Sequence, residues 1–200
     1  MFHSAFYNGF SETTNGNMRL EDDSERVVSA FGAWAKEGVI PVESYTWKRT
    51  QKNEDGEYEI QYLLMDIAQL CIFADKIMCP RFGNAAMRVF FKGLESKLMW
   101  PDVAEFIYEN TLSGSKLRSL VLDTIQAEGP FARRQPLEYR ENWFAALPKG
   151  GDLIQEIVQA GGFHNRDSDL HPSKKDNQWR YLEEENDKVC AEDFRKGVAT

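Results

Sequence analysis

The sequence predicts a mostly helical protein of the α+β class, with only a few short strands. Apolar residues recur three, four and seven positions apart through most of the chain, which is the periodicity of helices with one buried face. Glycine and proline separate these segments, as they do where helices end. The segments that suit a strand are short, so strands contribute little to the predicted fold.

The first two predicted helices carry aromatic residues on their apolar faces. Phe2, Phe6 and Phe10 are four residues apart and therefore share one face of the first helix. The second helix has Phe31 and Trp34 on its apolar face. We expect it to begin after the N-cap candidates Asp22, Asp23 and Ser24, and to end at Gly38.

The candidate strands lie at 18–20 and within a charged segment, 41–60. Charged side chains dominate that segment, and Asp55-Gly56 is a turn signal. We therefore expect a solvated loop, with a short hairpin that pairs residues 46–48 with residues 58–60.

The most apolar helix is predicted to begin at Tyr62 and to continue until Pro80 interrupts it, because proline cannot continue a helix from within. Its apolar stripe is wide, which indicates a helix that is buried on most sides. The stripe consists of Leu63, Leu64, Ile67, Leu70, Cys71, Ala74, Ile77 and Met78.

Shorter helices are predicted from residue 81 to residue 162. Pro101 suits the first turn of one of them. The Ser113-Gly114-Ser115, Gly129-Pro130 and Gly161-Gly162 clusters end or separate the others. After Phe163 charged residues alternate in sign and apolar residues are few, which predicts a disordered or weakly helical tail.

Charge and hydropathy disfavour two classes of partner. A net charge of -8 and a pI of about 5.0 disfavour non-specific nucleic-acid binding, which needs a positive surface. A mean hydropathy of -0.53 and the absence of a long apolar run argue against a membrane protein. No secretory signal is visible at the N-terminus, and three widely spaced cysteines do not form a disulfide framework. We expect a protein of the cytoplasm or nucleus.

No motif in the sequence predicts catalysis, a metal or a cofactor. A Gly-x-Ser-x-Gly motif is absent, and Cys71 lies within the apolar stripe, where a buried thiol is the better interpretation than a nucleophile. His164 and His171 lie in the charged tail, and a weak metal contact there is the less favoured alternative. Gly150-Gly151-Asp152 lacks the phosphate-binding glycine patterns, and we interpret it as an N-cap.

Residues 70–87, which include Ala74-Asp75-Lys76 and Cys79 to Phe82, resemble the helix pair that ends a BTB/POZ domain. Residues 6–12, 18–23 and 27–38 resemble the helix, strand and second helix that precede it in that family. Tyr108-Glu109-Asn110-Thr111, followed by Gly114-Ser115-Lys116-Leu117-Arg118, is similar to a segment of fungal BTB proteins. The resemblance covers about residues 2–160 and rests on the order and spacing of these segments.

Two departures from the family pattern matter for function. The strand–hairpin unit and helix that open a BTB domain, and that supply much of its usual homodimer surface, have no counterpart here. Family members that bind cullin scaffolds often carry an apolar–x–Glu motif where this chain has Val28-Ser29-Ala30. The missing acid weakens an assignment as a cullin adaptor.

The resemblance implies a partial BTB/POZ domain at 1–98 and a helical extension at 99–162, and the composition predicts a charged, flexible tail at 163–200. It also implies a non-catalytic module that binds other proteins, with homodimerisation and a cullin scaffold as further options. The candidate contact residues are Phe2, Phe6, Phe10, Phe31 and Trp34, although the same residues could equally fill the core.

Two rival functions stay open at this point. One is a substrate-recruiting adaptor of a cullin ubiquitin ligase. The other is an enzyme, which a pocket that joins at least two of His3, Cys71 and Asp75 would favour. A Cys71 that is sealed in the core would exclude that residue as a nucleophile. Zinc-finger-linked DNA regulation ranks last, because the chain has no zinc finger.

Overall fold

The computed structural model describes residues 23–41, 59–95, 97–163 and 171–184, and for residues 59–63 it describes the backbone alone. The α-helices are α1 (Glu25–Glu37), α2 (Glu59–Lys76), α3 (Pro80–Leu94), α4 (Pro101–Glu109), α5 (Lys116–Glu128), α6 (Leu137–Ala146), α7 (Gly151–Gln159) and α8 (Lys175–Gln178). Short 3-10 turns follow α6 at Leu147–Lys149 and α8 at Trp179–Tyr181. The mostly helical prediction is confirmed, and no strand occurs in the part of the chain that the structure describes.

Local sequence signals set the ends of α1. The Ser24 side chain accepts a hydrogen bond from the Val27 amide, so it caps the first turn as predicted. Gly38 adopts a left-handed conformation with φ of 75° and ends the helix, because glycine alone reaches that region without steric cost. Val27 and Ala30 are buried on the inner face.

Helices α2 and α3 pack closely against each other and form the centre of the fold. Gly83 on α3 lies so near α2 that a Cβ atom added to it would stand 3.4 Å from the Cβ of Ala74. The small residues at these two positions therefore permit a close approach of the two helices. Cys79 and Phe82 are buried at the junction of the two helices.

One hydrophobic core joins all the larger helices. Its buried members run from Val27 on α1 to Tyr181 near the end of the described chain. The core therefore crosses residue 98, where the sequence analysis placed a boundary between two units. In the described part of the chain, no helix combines the length and the apolar character needed to cross a membrane.

Residues 171–184, which we expected to belong to a flexible tail, pack onto this core instead. Tyr181 is buried, and its hydroxyl donates a hydrogen bond of 2.7 Å to Asp123 on α5. The side-chain amide of Asn84 donates to the carbonyl of Glu183 and accepts from its amide, at 2.9 and 2.8 Å. The aromatic ring and these paired bonds offset the charged composition, from which we predicted disorder.

Two further predictions about local structure are corrected. Residues 59 and 60 form the first turn of α2, not a hairpin strand, because Ile60 lies four and seven residues before Leu64 and Ile67 and so continues the helical face. Met78 is exposed and does not extend the buried stripe, because α2 ends at Lys76. The predicted first helix, the candidate strand at 18–20 and the partner strand at 46–48 lie outside the described residues.

Candidate functional site

A surface groove of about 470 Å³, here called the Met78 groove, runs between the α2–α3 turn and the α4–α5 connection. Its walls combine apolar side chains of the turn with polar groups of residues 111–116. Tyr181 and Glu183 close one side. The lining residues are Cys71, Ala74, Asp75, Met78, Cys79, Pro80, Gly83, Asn84, Met87, Thr111, Leu112, Ser113, Gly114, Ser115, Lys116, Leu117, Tyr181 and Glu183.

A second groove of about 750 Å³, here called the Gln69 groove, lies between the start of α1, the outer face of α2 and the end of α4. Asp75, Thr111 and Leu112 line both grooves, so the two grooves meet at these residues. The lining residues of this groove are Asp23, Ser24, Val27, Gln69, Ile72, Phe73, Asp75, Lys76, Phe106, Glu109, Asn110, Thr111 and Leu112.

Among the exposed residues that line the two grooves, we call Asp75, Met78, Glu109 and Leu112 the rim. Leu112 is 80% exposed and Met78 is 64% exposed, although both side chains are large and apolar. Asp75 and Glu109 are also exposed. The rim therefore presents two apolar side chains and two carboxylates on one surface.

The turn that carries Met78 is a Schellman motif, in which the last carbonyls of a helix bond to amides beyond its end. The Met78 amide donates to the Asp75 carbonyl at 3.0 Å, and the Cys79 amide donates to the Ala74 carbonyl at 2.9 Å. Met78 occupies the left-handed position of the motif, with φ of 54°. Glycine normally fills that position, because a Cβ atom there is strained.

The rim is locally acidic. Lys76 forms an ion pair of 2.8 Å with Asp23, so its charge is already balanced within the Gln69 groove. Among the described residues, no ion pair neutralises the carboxylates of Asp75 and Glu109. Both carboxylates lie close to the C-terminal ends of helices α2 and α4, where the helix dipoles are negative.

The structure brings Phe31 and Trp34 together in an aromatic cluster. The centroid of the Phe82 ring lies 5.2 Å from each of them, and Phe31 also contacts Phe73 edge-on at 5.9 Å. Both side chains are half-buried against the core. Their predicted part in partner binding stays a prediction, and Phe2, Phe6 and Phe10 lie outside the described residues.

The Met78 groove joins Cys71 and Asp75, which is one of the arrangements that would favour an enzyme. Cys71 is only 7% exposed, however, and burial raises the pKa of its thiol to about 12. The thiol is therefore protonated at neutral pH, whereas a nucleophilic cysteine acts as the thiolate. Cys71 is accordingly a poor nucleophile, and His3 lies outside the described residues.

The described residues contain no cluster of three His, Cys, Asp or Glu side chains that could hold a metal ion. The imidazole of His171 is engaged locally, with its Nδ1 2.9 Å from the hydroxyl of Ser173. Burial lowers the pKa of His171, which favours its neutral form. Its predicted neighbour in the charged tail, His164, lies outside the described residues. Asp152 lies in the first turn of α7 and does not cap it, since Gly150 holds the N-cap position.

A buried carboxyl group, Glu128, joins α5 to the segment before α4 and to α6. Its oxygens accept hydrogen bonds of 3.0 and 3.1 Å from the Met99 amide, and the hydroxyl of Tyr139 lies 2.5 Å away. The same hydroxyl is 2.9 Å from the Met99 carbonyl, which also accepts from the Trp143 indole. Burial raises the pKa of Glu128 to about 7, although these hydrogen bonds favour its charged form.

A buried guanidinium, that of Arg118, fixes the end of α4. It donates to the carbonyls of Tyr108 and Thr111 at 2.6 and 2.5 Å, and to the Thr111 hydroxyl at 3.1 Å. Asp152 and Glu156 on α7 balance its charge at 3.4 and 3.6 Å. Arg118 therefore ties α4, α5 and α7 together directly beside Leu112.

Comparisons of the chain with family models, with curated proteins and with solved structures give no match. Of the four rim residues, only Asp75 was considered for a site, in the enzyme alternative, and none was predicted to bind a partner. Met78 was assigned to a buried stripe, and Leu112 was not assigned a role. Pro80 could have shown that Met78 lies outside the buried stripe, because a helix that ends before this proline leaves Met78 in the turn.

Proposed function

We propose that this chain is a non-catalytic protein–protein interaction module of the BTB/POZ kind, acting in the cytoplasm or nucleus, and that it contacts its partner through the rim. The observation that carries the proposal is the 80% exposure of Leu112 at the point where two grooves meet. A large apolar side chain in such a position gains free energy when a partner covers it. Full burial of a leucine contributes about 1.5–3 kcal/mol.

The properties of Met78 also favour the rim as the contact surface. Methionine is flexible and polarizable, and it is common on surfaces that adapt to a partner. Here it also occupies a strained backbone position, and strained positions concentrate at functional sites. An exposed, strained methionine beside an exposed leucine is easier to explain as a contact surface than as a stability feature.

The buried ionisable groups support binding more than catalysis. Arg118 and Glu128 are engaged in hydrogen bonds that join helices, and Cys71 is held as a thiol. A catalytic acid, base or nucleophile needs access to a substrate. These three groups instead serve the packing of the described residues.

The proposal is tested by replacing Leu112 in the full chain. Leu112→Asp places a charge on the rim at little cost to the fold, because the side chain is already solvated. Leu137→Asp is the matched control, since Leu137 is 61% exposed on α6 and does not line either groove. The wild-type chain and both variants are immobilised, and the proteins that they retain from a lysate of the source cells are quantified by mass spectrometry.

We expect a set of proteins that the wild type and Leu137→Asp retain and that Leu112→Asp loses. Equal retention by Leu112→Asp and the wild type would contradict the proposal. A cullin within that set would identify the chain as a ligase adaptor. The sequence favours this role less, because Ala30 stands where cullin-binding members of the BTB family often carry the acid.

A further inference from the structure

We propose that the partner segment bound at the rim is basic and amphipathic, with Lys or Arg residues beside leucine-like side chains. This inference rests on the proposed function and names the chemistry of the partner. It follows from three features of the described residues: the two grooves, the charges beside them and the helix ends that meet there.

The grooves supply the apolar part of the recognition. They have volumes of about 470 and 750 Å³, and they lie on either side of Leu112. Apolar side chains line the floor of each groove, among them Met87 and Leu117 in the first and Ile72 and Phe106 in the second. A partner segment that covers Leu112 can therefore place an apolar side chain into each groove.

The charged side chains beside the grooves determine which sign of charge the partner segment must carry. Glu109 borders the Gln69 groove, Glu183 borders the Met78 groove, and Asp75 borders both. Lys76 is balanced by its ion pair with Asp23, whereas Lys116 donates to the neutral Arg180 carbonyl at 3.2 Å and keeps its charge. The three carboxylates therefore outnumber the one unbalanced lysine. A cationic segment gains attraction at this surface, whereas an acidic segment or a phosphate is repelled.

The helix ends add to this field. Helices α2 and α4 both end at the rim, at Lys76 and Glu109. The C-terminal end of a helix carries a partial negative charge of about half an elementary charge. At α4 the Arg118 guanidinium offsets this charge, because it donates to the carbonyls of Tyr108 and Thr111. The end of α2, beside Asp75, therefore adds most to the preference for Lys or Arg over a neutral polar residue.

The experiment measures binding of a labelled synthetic peptide to the full chain by fluorescence anisotropy. The probe peptide contains leucine and lysine at helical spacing, and a second peptide replaces each lysine by glutamate. Glu109→Lys tests the rim, and Glu141→Lys on the exposed face of α6 is the control. Both variants change the net charge equally, so general attraction to an acidic protein is matched. Leu112→Asp tests the apolar contact.

We expect saturable binding of the lysine peptide to the wild type and to Glu141→Lys. Glu109→Lys should weaken this binding several-fold. Leu112→Asp should also weaken it several-fold, because the loss of a covered leucine side chain outweighs the attraction of an exposed carboxylate for lysine. Added salt should reduce the difference between wild type and Glu109→Lys, because the contact is exposed. The glutamate peptide should not bind.

Two results would overturn the inference. One is an equal loss of affinity in Glu109→Lys and Glu141→Lys, which would mean that overall charge attracts the peptide. The other is binding of the glutamate peptide, or no binding of the lysine peptide, to the wild type. If Leu112→Asp still loses its retained proteins in the lysate experiment, the proposed function stands and only the basic partner is rejected. If Leu112→Asp retains the same proteins from the lysate as the wild type, the proposed function is contradicted as well.

Discussion

Met78 shows at the scale of one residue how stability and binding can oppose each other. A residue with a Cβ atom in the left-handed region costs about 1–2 kcal/mol relative to the right-handed helical region, whereas glycine avoids this cost. The strain is confined to the turn between α2 and α3, while the side chain is 64% exposed at the rim. Selection for stability alone would favour glycine at this position.

Met78→Gly is therefore expected to raise the free energy of unfolding by about 1 kcal/mol and to weaken partner binding. Urea unfolding followed by circular dichroism measures the first effect, and retention from the lysate measures the second. Met78→Ala is the control, because it removes the side chain and keeps the strained Cβ atom. A glycine variant that is no more stable than the alanine variant would show that the turn is not strained.

Glu128 is a residue whose ionisation affects stability near neutral pH. Burial raises its pKa in the folded state to about 7, above its ordinary value of 4.5. The folded protein therefore holds the proton more tightly than the unfolded chain between these two values. The stability that this proton contributes is fully present below pH 4.5 and is lost as the pH rises through 7.

Glu128→Gln should remove this pH dependence, because glutamine resembles the protonated acid in shape and charge. Its carbonyl can accept from the Met99 amide, and its amide can donate to the Tyr139 hydroxyl. We expect the variant to be more stable than the wild type at pH 8 and closer to it at pH 5.5, as measured by urea midpoints at each pH. Parallel pH profiles for the two proteins would show that Glu128 is not protonated in the fold.

At the scale of an element, the segment 171–184 depends on a few specific contacts. Asn84 is buried on α3, and its side-chain amide makes both hydrogen bonds to the backbone of Glu183. Tyr181 fills a buried site beside Phe91, with ring centroids 6.1 Å apart. Pro172 is also buried and Leu182 packs against the core. The segment is short, so its local opening should cost less than global unfolding.

Asn84→Ala should release the end of this segment, because it leaves the Glu183 backbone groups without these partners. We expect faster hydrogen exchange at residues 181–184 and a loss of about 1–3 kcal/mol in stability. Asn142→Ala is a suitable control, since Asn142 is exposed and its side-chain amide donates to the Glu138 carbonyl of its own helix. Unchanged exchange at residues 181–184 in Asn84→Ala would mean that Tyr181 alone fixes the segment.

At the scale of the whole molecule, the continuous core implies one cooperative unit. Trp34 packs against the core from α1, and Trp143 is buried on α6. Their fluorescence therefore reports on different parts of the core. A protein with one continuous core and no populated partly folded form unfolds in a single cooperative transition.

We therefore expect tryptophan fluorescence and circular dichroism to give coincident urea transitions. In a Trp143→Phe variant, fluorescence reports less on α6. Its urea midpoint should be lower than that of the wild type, but fluorescence and circular dichroism should still give the same midpoint. Two separate transitions would show that the boundary predicted near residue 98 divides independently stable units.

Helices were the part of the fold that local sequence could predict. Ser24, Gly38, Pro80 and Gly129 act on neighbouring backbone groups, so their effects are visible in a short window of sequence. The rim was not predictable in the same way. It arises because the end of α2 and the end of α4 meet, and residues 75 and 112 lie far apart in the chain.

The same distinction explains the segment 171–184. Its composition favours a solvated chain, whereas distant partners such as Asn84, Phe91 and Asp123 hold it in place. Helical periodicity carries no information about such pairs. The family resemblance could not supply them either, because it ends near residue 160.

Arg118 has a kinetic consequence for the rim. Its bonds to Tyr108 and Thr111 fix the backbone that presents Leu112, so a partner meets a surface that is already in its binding shape. This chain then loses little conformational entropy on binding, and association does not require a conformational change. Substitutions at Leu112 should consequently change how long the complex lasts far more than how fast it forms.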